Sequence, residues 1–422
     1  MPRHPKGVNI TGFKGLNNVG SPDNTSEQFL KKALNINIDK TGNISKRKGY
    51  QKVIDGVFTS LWASENGLGC YSTFNNNLVR IYEDYSTEVL ANGISDDPIS
   101  FEEIDGIIYY SSNSTNGIIS SGLRREWGLE RNWLSPELSS TDGSLDSGYY
   151  QVNFTWIYSD GRESGCSRSS IINVPANSGI IVKIPSAPTG AIYARIYCST
   201  QNGKELYYHG TSLPSTNYLV DDAFALVDPL RFFNIDKAPL GHIVKYYRGR
   251  IYIASGNILW YSEPFQYEQF RLDSNYFEFP EDIREVMPVE DGIWVGSDRL
   301  YYLSGEEPDK FKRNTKEHIK IVPGTSTRIS GSYIHMDNTP IGYKWLVTSN
   351  LGVWVLFNQG LCINLTSENV ALDQADSGTS LFLQDSGINQ YISILQTNSN
   401  PNNSVMGDLV ETTIVRNGVI IN

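Results

Sequence analysis

Adjacent carboxylates are the residues of this chain whose type best suits acid–base chemistry. They occur at three places: Glu102-Glu103, Asp221-Asp222 and Glu306-Glu307. Cleavage of a glycosidic bond uses two carboxylates that face the same bond. Neighbouring residues of a strand point to opposite faces of the sheet, so adjacency alone does not make such a site. The pattern therefore favours exposed loop charge over a catalytic pair.

Cysteine and histidine are spaced irregularly along the chain. The residues are Cys70, Cys166, Cys198, Cys362, His4, His209, His242, His318 and His335. There is no CxxC pair, HExxH motif, GxSxG motif, P-loop or GxGxxG motif in the sequence. Because no export signal is read, free thiols in a reducing cytosol are expected. The sequence predicts no catalytic residue, no metal site and no cofactor, and hence a protein that is not an enzyme.

Aromatic residues offer a second kind of chemistry, because flat rings can stack on sugars. Seven of them fall in segments with strand-like patterning: Trp260, Tyr261, Trp294, Tyr301, Tyr302, Trp345 and Trp354. One interpretation is a carbohydrate-binding groove. Aromatic side chains at period-2 spacing are also typical of the interior of packed sheets. The repeated, sheet-rich context favours the second interpretation.

Composition indicates that β-structure must position whatever function the chain has. Of 422 residues, 39% are hydrophobic and 12% are aromatic, while 37 glycines and 18 prolines supply frequent turns. Aromatic and β-branched residues suit pleated sheets. No stretch reaches the roughly 18 apolar residues that a membrane-spanning helix needs. Residues 1–13 contain no apolar core of a signal peptide, so none is expected.

A short hairpin unit recurs along the chain. Each copy is an apolar strand that opens near a glycine, a polar break and a second apolar strand, and copies lie at 67–82, 106–119, 249–262, 292–305, 344–356 and 380–394. Repeats of about 40–50 residues with sheet units are typical of β-propellers. Six units predict a roughly six-bladed propeller, whose blades must stack to bury both faces. An unrelated all-β sandwich with coincidental hairpins is the alternative.

One gap in the series is much longer than a repeat. The copies of the hairpin unit that start at residues 106 and 249 are 143 residues apart. When the length of one repeat is subtracted, the remaining segment has about the length of a β-sandwich domain. The segment contains a long alternating strand at 148–158, a turn at 159–164 and further strands up to 217–220. We expect an inserted antiparallel sandwich. Helix is expected only at 26–34, and 122–134 is ambiguous between helix and loop.

The N-terminal segment is basic and contains a further hairpin. Residues 35–39 alternate, 39–42 turn the chain and 43–47 return, with Gly42 able to supply a positive φ in the turn. Residues 1–54 carry a net charge of +7, so the rest of the chain carries −18 out of a total of −11. Such an acidic body is poorly suited to wrapping duplex DNA.

The N-terminal pattern resembles the start of bacteriophage tail nozzle and packaged-DNA stabilisation proteins. The residues that carry the resemblance are Ala33, Asn35, Gly42, Arg47 and Gly49, preceded by the stretch 12–18. Residues 159–164 and 195–197 resemble the fibronectin-type sandwich of that family. Stretches 251–262 and 293–297 resemble its propeller core, and 415–419 resembles its ending.

The resemblance implies an all-β fold with a fibronectin type III-like insert and a structural role in the virion. Such proteins form a homohexameric ring below the portal and head-to-tail adaptor of a short-tailed phage, where they extend the DNA channel, retain the genome and gate its ejection. It implies assembly in the host cytoplasm and location in the phage tail, without membrane insertion. Contact with tail fibres is left open, because the chain is shorter than the larger nozzle proteins.

These expectations define segments and candidate contacts. The expected segments are a basic hairpin at 1–54, a first propeller part at 55–145, the sandwich at 146–236 and the remaining propeller at 237–422. An acidic channel wall would let DNA slide without binding it, and Lys46, Arg47 and Lys48 could dock on an acidic adaptor. Polar loops at 306–325 and 396–407 are candidates for the gate. A receptor- or carbohydrate-binding tail adhesin and a glycan-cleaving propeller enzyme are the alternatives.

Overall fold

The structure is a computed structural model, and short strands dominate it. It describes residues 12–21, 25–32, 36–38, 41–46, 49, 51–64, 67, 69–95, 97–221, 228–334, 340–366, 369–370, 372, 375–385, 388–396, 409–416 and 419–421. The helical elements in this part of the chain are three 3-10 turns, Pro308–Lys310, Gly331–Tyr333 and Asn358–Gly360. None of its helices is long and apolar enough to cross a membrane.

The chain divides into two compact units. The first unit comprises Phe58–Ile253 and Leu259–Phe277, and the second comprises Met1–Val57, Ala254–Ile258 and Glu278–Asn422.

The first unit contains three sheets whose strands follow one another in chain order. Sheet 1 is β5 (Phe58–Ala63), β6 (Cys70–Phe74), β7 (Asn77–Ile81) and β8 (Thr87–Ala91). Sheet 2 is β9 (Ser100–Ile104), β10 (Ile107–Ser111), β11 (Asn116–Ser120) and β12 (Leu123–Arg125). Sheet 3 is β20 (Ile243–Tyr247), β21 (Arg250–Ser255), β22 (Ile258–Glu263) and β23 (Gln266–Phe270), with β24 (Tyr276–Glu278) also paired to β22.

Tight turns between these strands explain the glycine-rich repeat. Two-residue hairpin turns of type I′ require positive φ at both central residues. Four connections meet this requirement: Asn75-Asn76, Asp105-Gly106, Ser121-Gly122 and Arg248-Gly249. The strands that they join bury their apolar side chains against the neighbouring sheet. One core lies between sheets 1 and 2, around Tyr71, Phe101 and Tyr110, and another lies between sheets 2 and 3.

The first unit also contains a two-sheet sandwich between β12 and β20. Its three-stranded sheet has the order β13 (Glu137–Leu145), β16 (Ser178–Lys183), β19 (Asn217–Val220). Its four-stranded sheet has the order β15 (Ser170–Val174), β14 (Gly148–Tyr158), β17 (Ala191–Ser199), β18 (Leu206–Ser212). Both sheets contribute to a single core that includes Phe154, Ile180 and Ile196.

The second unit contains three more sheets whose strands follow chain order. Sheet 4 is β25 (Glu285–Val289), β26 (Gly292–Gly296), β27 (Leu300–Ser304) and β28 (Lys312–Glu317). Sheet 5 is β29 (Thr327–Ile329), β30 (Lys344–Ser349), β31 (Gly352–Leu356) and β32 (Cys362–Asn364). Sheet 6 is β33 (Ser377–Asp385), β34 (Ile388–Gln396), β35 (Leu409–Arg416) and β36 (Val419–Ile421).

The N-terminal segment belongs to this second unit. It contains β1 (Gly15–Leu16), β2 (Phe29–Leu30), β3 (Ile36–Ile38) and β4 (Ile44–Lys46). Strands β1 and β2 pair in parallel, and β3 and β4 form an antiparallel hairpin. Leu16 is buried in a core shared with sheets 5 and 6. Ile38 packs near Ile392 of sheet 6.

The sheet topology confirms the predicted fold class at the level of its parts. We call sheets 1–6, whose strands follow chain order, the blade-type sheets. Each of the six predicted hairpins forms two successive strands of a different blade-type sheet, and the sandwich is inserted between the second and third sheets. The sandwich strands span Glu137–Val220, and likeness to a fibronectin type III domain stays a prediction. The N-terminal hairpin also forms, within the described residues of its two strands.

Three local expectations differ from the structure. Residues 26–34 were expected to be helical, but the described part forms a turn and the short strand β2, because Leu30 is needed in the core beneath sheet 5. The ambiguous segment 122–134 forms strand β12 followed by a loop. Residues 306–325, expected to be a loop, contain β28, which completes sheet 4.

Candidate functional site

A cleft in the first unit is lined by residues of the sandwich and of its neighbouring elements. It has a volume of about 450 Å³ and lies where the sandwich meets the loop after β12 and strand β23. Sandwich residues 161–165, the connection around 232–236 and residues 265–269 supply its walls. Clefts at domain junctions are common places for ligand binding. Its charged residues also determine how the sandwich is held.

Glu268 of β23 is the centre of an ion-pair network beside this cleft. Arg125 at the end of β12 donates two hydrogen bonds to its carboxylate, at 2.6 and 2.5 Å. Arg162, in the turn after β14 of the sandwich, donates a third at 3.2 Å. Arg162 also bonds Asp160 at 2.8 Å. A bidentate pair between arginine and carboxylate fixes direction as well as distance, so Glu268 ties the sandwich turn to two blade-type sheets.

A second ion pair lies deeper in the same junction. Arg131 Nε lies 3.1 Å from Asp236 Oδ1, and both side chains are almost buried. Burial raises the pKa of Asp236, against the opposing charge of Arg131. Asp236 also forms two backbone hydrogen bonds with Phe270 of β23, at 2.7 and 3.1 Å. The return connection of the sandwich is therefore bonded directly to sheet 3.

Two glycines allow the backbones at this junction to approach closely. Gly128 has a φ of +87°, and a Cβ atom there would lie 2.7 Å from the carbonyl oxygen of Glu268. At Gly165 a Cβ atom would lie 1.8 Å from the carbonyl oxygen of Ile235. Any other residue at either position would force the backbones apart.

Glu163, on the sandwich side of the cleft, is also held by neighbouring side chains. Glu163 accepts hydrogen bonds from Thr155 at 2.5 Å, from Tyr197 at 2.6 Å and from Arg195 at 3.3 Å. Burial, and after it the charge of Glu268, raises the pKa of Tyr109 to about 12. Each carboxylate of the cleft wall thus already faces an arginine. This arrangement is suited to holding rigid the junction between the sandwich and sheets 2 and 3, which we call the Glu268 joint.

The sequence-predicted N-terminal residues have mixed outcomes. Gly42 has the expected positive φ, +83°, and accepts a hydrogen bond from the backbone nitrogen of Phe13 at 2.9 Å. A Cβ atom at Gly42 would lie 2.5 Å from that nitrogen and 2.6 Å from the Cα atom of Gly12. The two stretches that carry the family resemblance, 12–18 and the hairpin, therefore form one packed motif.

The other predicted residues are not gathered into a site. Lys46 ends β4 and is exposed, and Gly49 is exposed with open space around it. Ala33, Asn35, Arg47 and Lys48 lie outside the described residues, as do 397–407 of the second predicted gate segment. No described group of three or more His, Cys, Asp or Glu side chains is placed to hold a metal ion. All four cysteines are free thiols, as predicted.

The adjacent carboxylates Glu102 and Glu103 and the selected aromatic residues lie where the alternation of side chains along a strand predicts. Glu102 accepts a hydrogen bond from Tyr246 of sheet 3, whereas Glu103 accepts one from Ser64 beside sheet 1, so the two side chains diverge as predicted. Six of the seven selected aromatic side chains are buried and Trp260 is half-buried, which confirms their place in the cores.

Sequence reasoning missed the Glu268 network. Arg125 and Glu268 are 143 positions apart and belong to different sheets, so their pairing leaves no local pattern. The turn at 159–164 was the available signal, because it placed Arg162 and Glu163 at the end of a long sandwich strand. Pairing them with blade residues requires the three-dimensional arrangement.

No protein-family model matches the chain, and no curated protein matches it significantly. Among solved structures it is similar to BBS1N in complex with ARL6DN, at 12% identity over 77% of this chain and 83% of that one, with a TM-score of 0.30. It is also similar to the Neurospora crassa Pan2 WD40 domain, at 9% identity over 80% and 86%, with a TM-score of 0.31. The fold follows from the sheet topology of the chain itself.

Proposed function

We propose that this chain is a structural subunit of a phage tail nozzle, a homohexameric ring below the portal and adaptor that extends the DNA channel, retains the genome and gates its ejection. The observation that carries the proposal is the insertion of a two-sheet sandwich into a series of six blade-type sheets. This is the organisation that the family resemblance implies. In this proposal the chain is located in the virion tail and performs no chemistry of its own.

The N-terminal motif supports the same proposal. Two separate stretches of the resemblance, around Gly12 and around Gly42, approach so closely that a side chain at Gly42 would not fit. A match between two stretches that pack together is more informative than two unrelated short matches, because one backbone arrangement explains both.

The Glu268 joint supports a mechanical role. A sandwich inserted through two chain crossings would swing unless further contacts fixed it. Arg162, in a turn of the sandwich, and the pair of Arg131 with Asp236, which joins the entering and returning connections, supply such contacts. A ring subunit requires a fixed orientation of its domains, because symmetric closure depends on the angle between successive contacts.

Electron microscopy of the purified chain, alone and with its adaptor, tests the proposal directly. We expect six-fold rings with a central channel, which stack on the adaptor when it is added. Isolated single particles without rotational symmetry, in both preparations, would contradict the proposed ring.

DNA binding tests the proposed conduit. Residues 55–422 carry a net charge of −18, and a wall of this sign repels phosphate. We expect weak duplex binding at physiological salt, since tight binding there would contradict a channel through which DNA slides.

The proposed contact with the adaptor is tested separately. A Lys46/Arg47/Lys48→Ala variant should assemble poorly on the adaptor, and normal assembly would contradict the docking hypothesis.

The cleft favours receptor binding as a second candidate function. Its volume of about 450 Å³ would admit a small sugar, and its lining combines aromatic side chains, such as Phe265 and Tyr267, with the amides Gln266 and Gln269. Flat rings and amides are the groups that proteins use to hold sugars. Glycan-array binding that is lost on Gln269→Ala would support this alternative over the nozzle.

A further inference from the structure

Strand β28 forms a basic edge on sheet 4. It is the last strand of that sheet and pairs with β27 alone in the sheet order of the described residues. Four exposed side chains in and just before it are positively charged, Lys310, Lys312, Arg313 and Lys316, which we call the basic edge. Exposed sheet edges are sites where another chain can pair.

No cation of the basic edge forms an ion pair with a described carboxylate, although Asp309 and Glu317 adjoin the edge in the sequence. Arg313 donates instead to the carbonyl oxygen of Glu278 at 2.6 Å, and Lys316 lies over the ring of Tyr302 at 5.8 Å. Elsewhere in the chain arginines such as Arg125 and Arg131 face carboxylates at short distance. In a chain of net charge −11, this edge therefore presents several cations together to solvent.

A matching edge of opposite sign exists on the same chain. Strand β8 is the last strand of sheet 1, and residues 82–89 at this edge are all exposed. Glu83, Asp84 and Glu88 form an acidic edge. Within the described residues, Glu88 accepts from the hydroxyl of Tyr82 at 2.5 Å and Asp84 from Ser86 at 2.6 Å, and none of the three pairs with a cation.

We propose that the basic edge of one copy of this chain binds the acidic edge of a second copy, in a head-to-tail contact. The acidic edge consists of an outer strand of five residues with the turn before it, and the basic edge of an outer strand of six residues with the turn before it. Their charged side chains are of opposite sign, so each can supply what the other lacks. Lysines on an edge strand discourage pairing with a neutral or basic edge, but an acidic edge turns the same charges into attraction. A contact between different surfaces of identical subunits generates rings when the rotation closes.

A second copy fits better than nucleic acid at this strand. Duplex DNA gains affinity in proportion to the number of phosphates that are neutralised, and four cations beside an acidic body provide few such contacts. The acidic edge, in contrast, is present at equal concentration on every copy. The inference rests on the proposed ring, because it names the surface through which neighbouring subunits meet.

Charge reversal on the two edges tests the contact. The first variant, Lys310→Glu/Lys312→Glu, leaves Arg313 and Lys316 in their packed positions. The second variant is Glu83→Lys/Glu88→Lys. A matched control for the first variant, Lys183→Glu/Lys204→Glu, makes the same net-charge change as that variant on exposed positions of the sandwich. Self-association is measured by sedimentation velocity at 50 and 500 mM NaCl, conditions that change the screening of surface charge.

We expect wild-type self-association to weaken at least tenfold at the higher salt. Each edge variant alone should associate on the order of a hundredfold more weakly, because attraction becomes repulsion. The control should behave as wild type. An equimolar mixture of the two edge variants should recover association to within about tenfold of wild type, since the reversed edges are again complementary.

The possible results separate the inference from the proposed function. Wild-type rings that persist in both edge variants would overturn the inference and leave the ring intact, assembled through another surface. Loss in each variant without recovery in the mixture would also overturn it. A wild-type chain that stays monomeric at every salt and concentration would overturn both. Duplex DNA binding that disappears only in the first variant would assign the basic edge to a polyanion instead.

Discussion

Replacing Glu268 by glutamine should loosen the joint between the sandwich and the blade-type sheets. The substitution keeps the size of the side chain and one acceptor oxygen, but it removes the charge that faces Arg125 and Arg162. Two arginines would then share one neutral partner. The effect should appear first at the junction, because the sandwich and the sheets each keep their own core.

The expected magnitude follows from the three hydrogen bonds and their exposure. A hydrogen bond to a charged group contributes about 1.5–3 kcal/mol, but contributions from one network do not add. The side chains of Arg125 and Glu268 are 36% and 27% exposed, so solvent screens part of the interaction. We therefore expect a local opening free energy lower by about 2 kcal/mol.

Hydrogen exchange read by mass spectrometry measures this opening locally. The amides of Asn132 and Asp236 bond Gly165 and Phe270 across the junction, at 2.8 and 2.7 Å. A loss of about 2 kcal/mol should speed their exchange about 30-fold. The control is Glu137→Gln, which removes a carboxylate from an exposed pair with Lys183 and should change exchange less than about twofold.

Two results would refute the reasoning about the joint. Equal exchange in the two glutamine variants would mean that the Glu268 network does not hold the sandwich. A uniform rise in exchange throughout β14 and β17 would mean that Glu268 stabilises the whole unit rather than the junction.

The remaining predictions concern single residues. Gly42→Ala should lower the free energy of unfolding by about 1–3 kcal/mol, because φ is positive and a backbone nitrogen lies 2.5 Å from the new Cβ atom; Gly49→Ala, in open space, should leave the urea midpoint unchanged. Burial raises the pKa of Tyr391 to about 12, so the unfolded chain loses this proton near pH 10 while the folded chain keeps it. Stability should therefore fall between about pH 10 and 12 by about 1.4 kcal/mol per pH unit, and Tyr391→Phe should reduce the slope measured by urea titration. Burial also raises the pKa of Cys166 to about 12, so peptide mapping should find it alkylated by iodoacetamide only after unfolding; rapid native labelling would contradict its buried position.

Strand-level structure was predictable because its signal is local. The alternation of apolar residues and the turn dipeptides, such as Asp105-Gly106 with both φ positive, determine where a hairpin forms. The same alternation separated Glu102 from Glu103 on opposite faces. Counting hairpins then predicted the number of blade-type sheets, since each unit needs a neighbour to cover its faces.

Elements that depend on distant partners were not predictable. Leu30 lies in a strand rather than a helix because β1 and a core beneath sheet 5 are present beside it. Residues 312–317 are polar, and all but the half-buried Glu317 are exposed, so only pairing with β27 makes them a strand. The pairing of Arg125 with Glu268 could not be predicted for the same reason. Arg125 Nη2 and Glu268 Oε1 lie 2.5 Å apart, although the two residues are 143 positions apart in the sequence.

The cations of the Glu268 joint and those of the basic edge differ in whether a carboxylate pairs with them. This difference connects the proposed nozzle with the proposed contact between copies. The cations of the joint face carboxylates, so they hold domains together and add little to the outer potential. The cations of the basic edge form no ion pair with a described carboxylate, so where they are uncovered they add a few phosphate contacts that would slow passing DNA. A nozzle that conducts a polyanion therefore needs this edge to be covered in the assembled ring, and the acidic edge of a neighbouring copy would do so. If rings assemble through other surfaces and leave β28 open, duplex DNA should bind the ring at low salt and release on Lys310→Glu/Lys312→Glu.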